Sequence, residues 1–487
     1  MYVGGGRVAR TVSGSPKRVE FGRRLSFLTL VAALLFLWPL LAYGRPGYIQ
    51  DSAAYYKGGH VAVAFVLDKL EPGRTLPAVT QPGGRPEPPS GAKTEVRGAR
   101  SVSYSLAAYM FGAPKAQMWL LCALQALVTG FFCALTLLLF AGNERRSWPK
   151  LAVLAVATPV AFVVCLAIPD IFAGLVILAI ALVATAHDRV SRGVRTVTVL
   201  IAATAIAFHA SHLPIALAMT LSSLAWLAFR AWRRTPVPRQ RWAWVMAPFV
   251  LGAAATVAFN FVAFGGASLT GKRYPLTLAR SVAEGPGRWY LEKNCGHLKF
   301  AICEVYPHGV PGEINAFLWG TNGLKQRASP AQMDRIRAEE SEVVLAATRA
   351  YPLEEIRRVG WSFTRQLIRF EPGVALLDSR IVLDREGTPQ LERASYNRFW
   401  TGLVHWLTIV SVIASVLVLL RRVWNDKSTR PVIGLVVVGV LTNAAVCVYF
   451  SGIVDRYGAR VIWLLPLLAL ALVGRSPGAE DPSASPA

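Results

Sequence analysis

Apolar residues in this chain are gathered into long blocks separated by short basic turns, and strand-like alternation describes none of them. A block of about 17 to 25 apolar residues is the length that carries a helix across a hydrocarbon core of about 30 Å. Such blocks fall near residues 25–43, 117–141, 151–168, 171–186, 196–209, 213–230, 243–264, 400–420, 431–450 and 459–473. The pattern predicts an all-α polytopic membrane protein with about ten transmembrane helices.

Two long polar stretches, 44–116 and 265–398, interrupt the series. The middle of the first, Glu71 to Arg100, is rich in Pro and Gly and reads as mobile. In the second, Ser329-Pro330 supplies a cap and a first helical position for a helix through Met333 to Arg349. After Tyr351-Pro352, the apolar residues Leu353, Ile356, Phe363, Leu367 and Phe370 recur three or four apart, while Glu354, Glu355, Arg358, Arg365 and Arg369 take the other face. That spacing predicts an amphipathic helix. Two placements satisfy it: a helix on the membrane surface or capping the bundle, and an ordinary packed helix of a loop domain.

Charge then orients the chain. Of its 487 residues 54% are hydrophobic and 16% charged, against roughly 25% charged in a soluble domain. The net charge of +24 comes without a nucleic-acid motif, and its Arg clusters sit beside apolar blocks, so the basicity reads as topology and no nucleic-acid partner is expected. With the N-terminus inside, the turns carrying Arg145-Arg146 and Lys150, Arg189 with Arg192 and Arg195, Arg230 to Arg241, and Arg421-Arg422 to Arg430 are all cytoplasmic. The expected layout is N-in and C-in. Residues 1–24 form a basic cytoplasmic tail, 25–264 hold helices 1–7 with the outer loop 44–116, 265–398 form a large extracytoplasmic helical loop between helices 7 and 8, 399–474 hold helices 8–10, and 475–487 form a second tail. No small-residue cleavage site follows Leu25 to Ala42, so the first helix is expected to stay uncleaved in a cell inner (plasma) membrane.

Ionisable groups at the outer edge of a membrane are costly to desolvate, which makes those kept there candidates for function. Just after the first helix lie Asp51, Tyr55, Tyr56 and Lys57; Asp51 and Tyr55 are four apart and share a helix face. A carboxylate among rings suits a general base toward a sugar hydroxyl, and an interfacial aromatic anchor with a solvated Asp is the plainer account. Pro169-Asp170 separates two apolar blocks, with a helix N-cap as the alternative role for Asp170. His209 and His212 flank Ala210-Ser211, a pair suited to an anionic or hydroxyl-bearing ligand, with an interhelical hydrogen bond as the alternative. Asp455-Arg456-Tyr457 with Arg460, and Arg273 in Lys272-Arg273-Tyr274, offer guanidinium donors for a phosphate, or snorkelling arginines. Cys295 and Cys303 lie close together in the large loop, where an extracytoplasmic location admits a disulfide and unpaired or metal-binding thiols are the alternative. The metal-ligand signal is weak, because spacing fixes no third ligand beside the histidines.

An acid just after the first helix, Asp51, and a second in the turn between helices three and four, Asp170, resemble the pattern of the C-type membrane glycosyltransferase superfamily. The run Ala99-Arg100-Ser101-Val102-Ser103-Tyr104-Ser105-Leu106 resembles that family's entry to its second helix, and His209-Ala210-Ser211-His212 is similar to turns of bacterial polysaccharide polymerases. The likeness covers the layout of roughly the first 230 residues and rests on analogy. Asp51 stands alone where family members often carry paired acids, and the large loop lies between spans rather than at the C-terminus. The resemblance implies an inverting transfer from a polyprenyl-phosphate sugar donor to a lipid or glycan acceptor. Asp51 would be the base and Asp170 would position the acceptor or hold a divalent cation. Lys57, Arg273, His209 and Arg456 are the candidates for the leaving phosphate. A polymerase of lipid-linked repeats, a transporter and a noncatalytic assembly subunit are the alternatives. Against transport stand the scarcity of mid-span ionisable residues and the lack of an inverted repeat.

Overall fold

A computed structural model describes residues 16–71, 100–112, 117–141, 147–372, 379–383, 389–393 and 398–473. Most of the Pro/Gly-rich stretch expected to be mobile, residues 1–15 of the first tail and all of the second lie outside the described residues.

Helices make up most of the described residues in the first half of the chain. Helix α1 (Pro16–Phe36) turns at Leu37 into α2 (Trp38–Tyr43), and α3 (Gln50–Leu70) and α4 (Val102–Gly112) then pack side by side before α5 (Trp119–Phe140). Gly59 of α3 makes that packing possible, since a Cβ there would occupy the space of the Ser105 carbonyl oxygen. The apolar block 151–168 is not one helix: α6 (Ser147–Ala157) stops and α7 (Val160–Val164) restarts after Pro159, whose missing N–H cannot continue the hydrogen-bond ladder. Residues beyond α7 run extended, and Gly47 bridges to them, donating to Cys165 O at 2.8 Å and accepting from Ala167 N–H at 3.0 Å.

After a 3-10 turn at Pro169–Ile171 comes α8 (Phe172–Thr185), followed by α9 (Arg192–Phe208), α10 (His212–Trp232) and α11 (Arg239–Phe264). Every residue of α8 from Phe172 to Ala184 is buried. A helix that is apolar all round belongs in the middle of a bundle, and α8 is wrapped by α9, α10 and the later α20. Its last turn is closed by Arg241, which donates from Nε and Nη2 to Ala184 O at 3.0 and 2.7 Å, satisfying a carbonyl that a helix end leaves orphaned.

Residues 274–367 build a separate small core. Helices α12 (Leu276–Glu284), α13 (Pro286–Asn294), α14 (Ala301–Val305), α15 (Ile314–Trp319), α16 (Leu324–Arg327), α17 (Pro330–Ala350) and α18 (Pro352–Leu367) follow in order, with Leu278, Val282, Ile302, Phe317, Met333 and Val344 among the buried residues. Ser329 caps α17 as the sequence predicts, its Oγ accepting from Gln332 N–H at 3.2 Å. Cys295 and Cys303 are disulfide-bonded. A two-stranded antiparallel hairpin, β1 (Ser379–Leu383) with β2 (Pro389–Arg393), departs from the all-α expectation. The chain ends in α19 (Phe399–Asn425), α20 (Arg430–Phe450), α21 (Asp455–Ile462) and α22 (Leu464–Leu472).

Among the described residues, six helical stretches are long and apolar enough to cross a membrane: Val19–Tyr43, Trp119–Phe140, His212–Trp232, Arg239–Phe264, Phe399–Asn425 and Arg430–Phe450. Large apolar side chains on them point outward, including Val410, Ile413 and Leu417 of α19, as a lipid-facing surface requires. The chain is a helical, multi-pass membrane protein.

Candidate functional site

Four chain turns meet at one end of the bundle: the start of α3, the 3-10 turn before α8, the turn between α9 and α10, and the start of α21. The Gly47 bridge to the strand-like residues after α7 brings the first two together.

Asp51 lies in the first turn of α3, where unpaired N–H groups favour an anion. Arg100 donates to its Oδ1, and Nη2 of Arg456 lies 3.5 Å from its Oδ2. Asp170 is buried in the 3-10 turn and caps neither that turn nor α8; Ile168 and Ile171 hold the cap positions. Arg460 Nη1 donates to Asp170 Oδ1 at 3.4 Å, and Arg456 Nε lies 3.8 Å from Oδ2. Arg456 and Arg460 are one helical turn apart on α21 and so share a face. Arg456 thereby bridges the two acids. The result is a continuous series, Arg100, Asp51, Arg456, Asp170, Arg460, with three guanidiniums against two carboxylates.

The fully buried Arg460 is fixed from several sides. Its Nε donates to Asn443 Oδ1 at 2.9 Å and its Nη2 to Ser211 Oγ at 3.2 Å and to Cys447 Sγ at 3.0 Å. Asn443 in turn donates to Tyr457 O at 2.7 Å, tying α20 to α21. Ser211 Oγ is 2.8 Å from His209 Nδ1, which brings His209 to the edge of the series. Burial, together with the neighbouring Arg460, Arg100 and Arg456 guanidiniums, holds the His209 imidazole well below its ordinary range, so it is neutral. His212 is buried, with Nδ1 2.6 Å from Ala205 O. That is the interhelical role that the sequence left open for it.

Beneath the acids lies an aromatic floor. Tyr55 meets Tyr104 edge-on at 4.9 Å between centroids, Tyr104 meets Phe208 at 5.3 Å, and Phe208 meets Phe172 at 4.9 Å. Tyr104 Oη donates to Gln125 Oε1 at 2.9 Å, and Gln125 donates on to Val164 O and Leu166 O, anchoring the extended residues after α7. Tyr55 and Tyr56 are buried, so they build the floor and the α3–α4 contact rather than offering an open ring to a sugar. Burial also pushes the Tyr55 hydroxyl far above its ordinary range. Lys57 is half-buried on α3. Arg273 is held elsewhere, donating to Glu340 Oε2 at 3.1 Å within the loop domain, where Glu340 also accepts from the first N–H groups of α12.

Among the described residues no group of three or more His, Cys, Asp or Glu side chains is placed to hold a metal ion. The place between Asp51 and Asp170, where a bridging cation would sit, is taken by the Arg456 guanidinium. Arg100, Asn443 and Ser211 were not singled out as site residues from the sequence. Arg100 carries a signal as a cation just before a helix entering the bundle, and Asn443 as a polar residue inside an apolar block that reads as a helix-packing contact.

These features define a helical membrane protein with a charged constellation at one end of its bundle. No family model, curated protein or solved structure matches the chain.

Proposed function

We propose that the chain is a membrane glycosyltransferase that moves a sugar from a polyprenyl-phosphate donor to a lipid or cell-envelope glycan, at the extracytoplasmic face of an inner membrane. The observation that carries the reading is Arg456 standing between Asp51 and Asp170, in a cluster with one guanidinium in excess. An excess of arginine donors beside a reachable carboxylate suits a reaction that takes a proton from a hydroxyl and releases a phosphate. In this mechanism Asp51, one-fifth exposed, accepts the proton of the acceptor hydroxyl. The acceptor oxygen forms a bond to the anomeric carbon, the bond from that carbon to the donor phosphate oxygen breaks, and the electron pair leaves with the phosphate. Arg456 and Arg100 swing their donors from Asp51 to the leaving phosphate, while Asp170, held by Arg460, keeps Arg456 in place.

The same reading takes the chain as ten spans with both ends inside. The six long helices are joined by α6 with α7, by α8, by α9 and by α21 with α22. The basic turns Arg189 to Arg195 and Arg230 to Arg241 then lie on the cytoplasmic side, and the loop domain and the acid cluster on the other.

The test is transfer of radiolabelled sugar from polyprenyl-phosphate donors to extracted lipid or glycan, in membranes holding equal amounts of intact protein and Asp51→Asn. A loss of about 100-fold or more is the expected effect of removing a general base. Full activity in Asp51→Asn would remove the centre of the mechanism, and a ladder of polymer products would reassign the chain to the polymerase reading.

A further inference from the structure

Helix α18 is packed the wrong way round for a water-soluble domain. A helix on a soluble core buries its apolar stripe and exposes its charges. On α18 the buried residues are Glu355, Ser362 and Gln366. Each has a polar partner: Glu355 accepts from Arg280 Nη2 at 2.6 Å, Ser362 donates to Glu284 Oε1 at 3.0 Å, and Gln366 pairs with the backbone of Val454. The apolar residues face out. Leu353, Ile356, Trp361 and Ile368 are 82, 70, 63 and 72% exposed, although each is large enough to be worth burying. At about 100° per residue Ile356, Gly360 and Leu353 lie together, Trp361 and the following Ile368 flank them with the exposed Arg357 between, and the partly exposed Glu354 and Arg358 with the exposed Arg365 form a charged sector beyond.

The position of α18 says what covers that sector. It packs along α20, a candidate span, and its C-terminal turn reaches the end of that span. Gln366 accepts from Val454 N–H at 2.9 Å and donates to Val454 O at 3.1 Å, four residues past the last residue of α20. The helix therefore sits at the level where a spanning helix leaves the hydrocarbon. Leu441 and Tyr449 of α20 are exposed, and Arg280 beneath α18 stacks over the Tyr449 ring at 5.2 Å. Trp361, with the Arg365 guanidinium 5.9 Å from its ring, is the aromatic and cationic pairing that headgroup regions favour.

We infer that α18 is an interfacial helix: Leu353, Ile356, Trp361 and Ile368 insert among the acyl chains of the leaflet at the site end of the bundle, and Arg357, Arg358 and Arg365 meet lipid phosphates. The inference rests on α20 spanning the membrane and not on the reaction proposed above. It has a consequence for the site. Gln366 holds the residue that begins α21, and Gly458 of α21 lies so close to Arg369 O that a Cβ there would overlap it. A lipid-seated α18 thus sets the depth of Arg456 and Arg460 relative to the headgroups, where the phosphate of a lipid-linked ligand would lie.

Nitroxide labelling of the full-length protein in vesicles of phosphatidylcholine and phosphatidylglycerol tests it, with labels at Ile356→Cys, Arg358→Cys and Leu441→Cys. The four free cysteines, Cys122, Cys133, Cys165 and Cys447, are buried and Cys295 is bonded to Cys303, so the introduced thiols are the accessible ones. Expected is collision with dissolved oxygen exceeding collision with a water-soluble nickel chelate at 356 and 441, and the reverse at 358. A water-like profile at 356, or exclusion of both reagents there by a covering protein surface, overturns the inference while 441 remains lipid-like. If 441 is also water-like, the spanning assignment of α20 fails and takes the inference with it. Positions 356 and 441 are exposed and the Arg358 side chain is 43% exposed, so labelling leaves the fold intact, and sugar transfer is not the readout.

Discussion

At the scale of single residues the decisive feature is that two acids far apart in the chain are joined by one arginine. Only a planar fork reaches both carboxylates at 3.5 and 3.8 Å; a lysine ammonium is a single point charge. Arg456→Lys is therefore expected to fold and to lose more than about tenfold in transfer rate, about 1.4 kcal/mol of transition-state stabilisation. Equal rates for Arg456→Lys and the parent would show that the bridge has no part in the reaction. A second residue-scale expectation concerns pH at the opposite end of the bundle. His187 sits in the turn after α8 with Nε2 2.7 Å from Arg195 Nη1, and burial, followed by that guanidinium, lowers it from 6.5 to about 4. An unfolded imidazole takes up a proton near 6.5 while the native one stays neutral down to about 4, so the unfolded state binds more protons in that window. Stability is thus lost as pH falls from 6.5 toward 4, and His187→Gln should flatten this part of a melting-temperature profile in detergent. An unchanged slope in the variant would show that His187 does not contribute.

At the scale of elements, the loop domain and the bundle are coupled through α18 and α21. Arg280, wholly buried, holds Glu284 at 2.5 Å and Glu355 at 2.6 Å, and so fastens α12 to α18 on the side facing Tyr449. Gly458 then lets α21 come directly against the end of α18. Because the opposing atom is backbone, Gly458→Ala leaves no side chain to swing aside. Overpacking of this kind costs about 1 to 3 kcal/mol, so a lowered melting temperature is expected, with transfer activity reduced beyond the loss of folded protein. A variant that melts and transfers as the parent does would mean that the two helices separate freely.

At the scale of the whole molecule, the end of the bundle holding the acid cluster also carries the loop domain, whereas Arg189, Arg195 and Arg241 gather at the other end around the last turn of α8. The proposed orientation follows from that asymmetry. In sealed, oriented membranes a thiol at Glu292→Cys in the loop domain and one at Lys427→Cys between α19 and α20 should react with an impermeant maleimide from opposite sides. Both positions are exposed, and labelling of both from one side would overturn the arrangement.

The membrane class of the protein was legible in the sequence, because crossing hydrocarbon demands a long apolar run and no distant contact is needed to recognise one. Six of the expected spans appear as long helices, whereas the block at 151–168 is divided at Pro159 by a backbone rule that composition does not weigh. Asp51 and Asp170 could be picked out from their places beside spans. The series connecting them could not, since the contact between Arg460 and Asp170 spans 290 residues and exists only when α21 packs against the turn before α8. Periodicity likewise revealed that α18 has an apolar face but not where that face points. In a membrane protein the lipid is as apolar as a core, so only the packing of α18 on α12, through Glu355 and Ser362, and on the residue before α21, through Gln366, decides that its polar side turns inward.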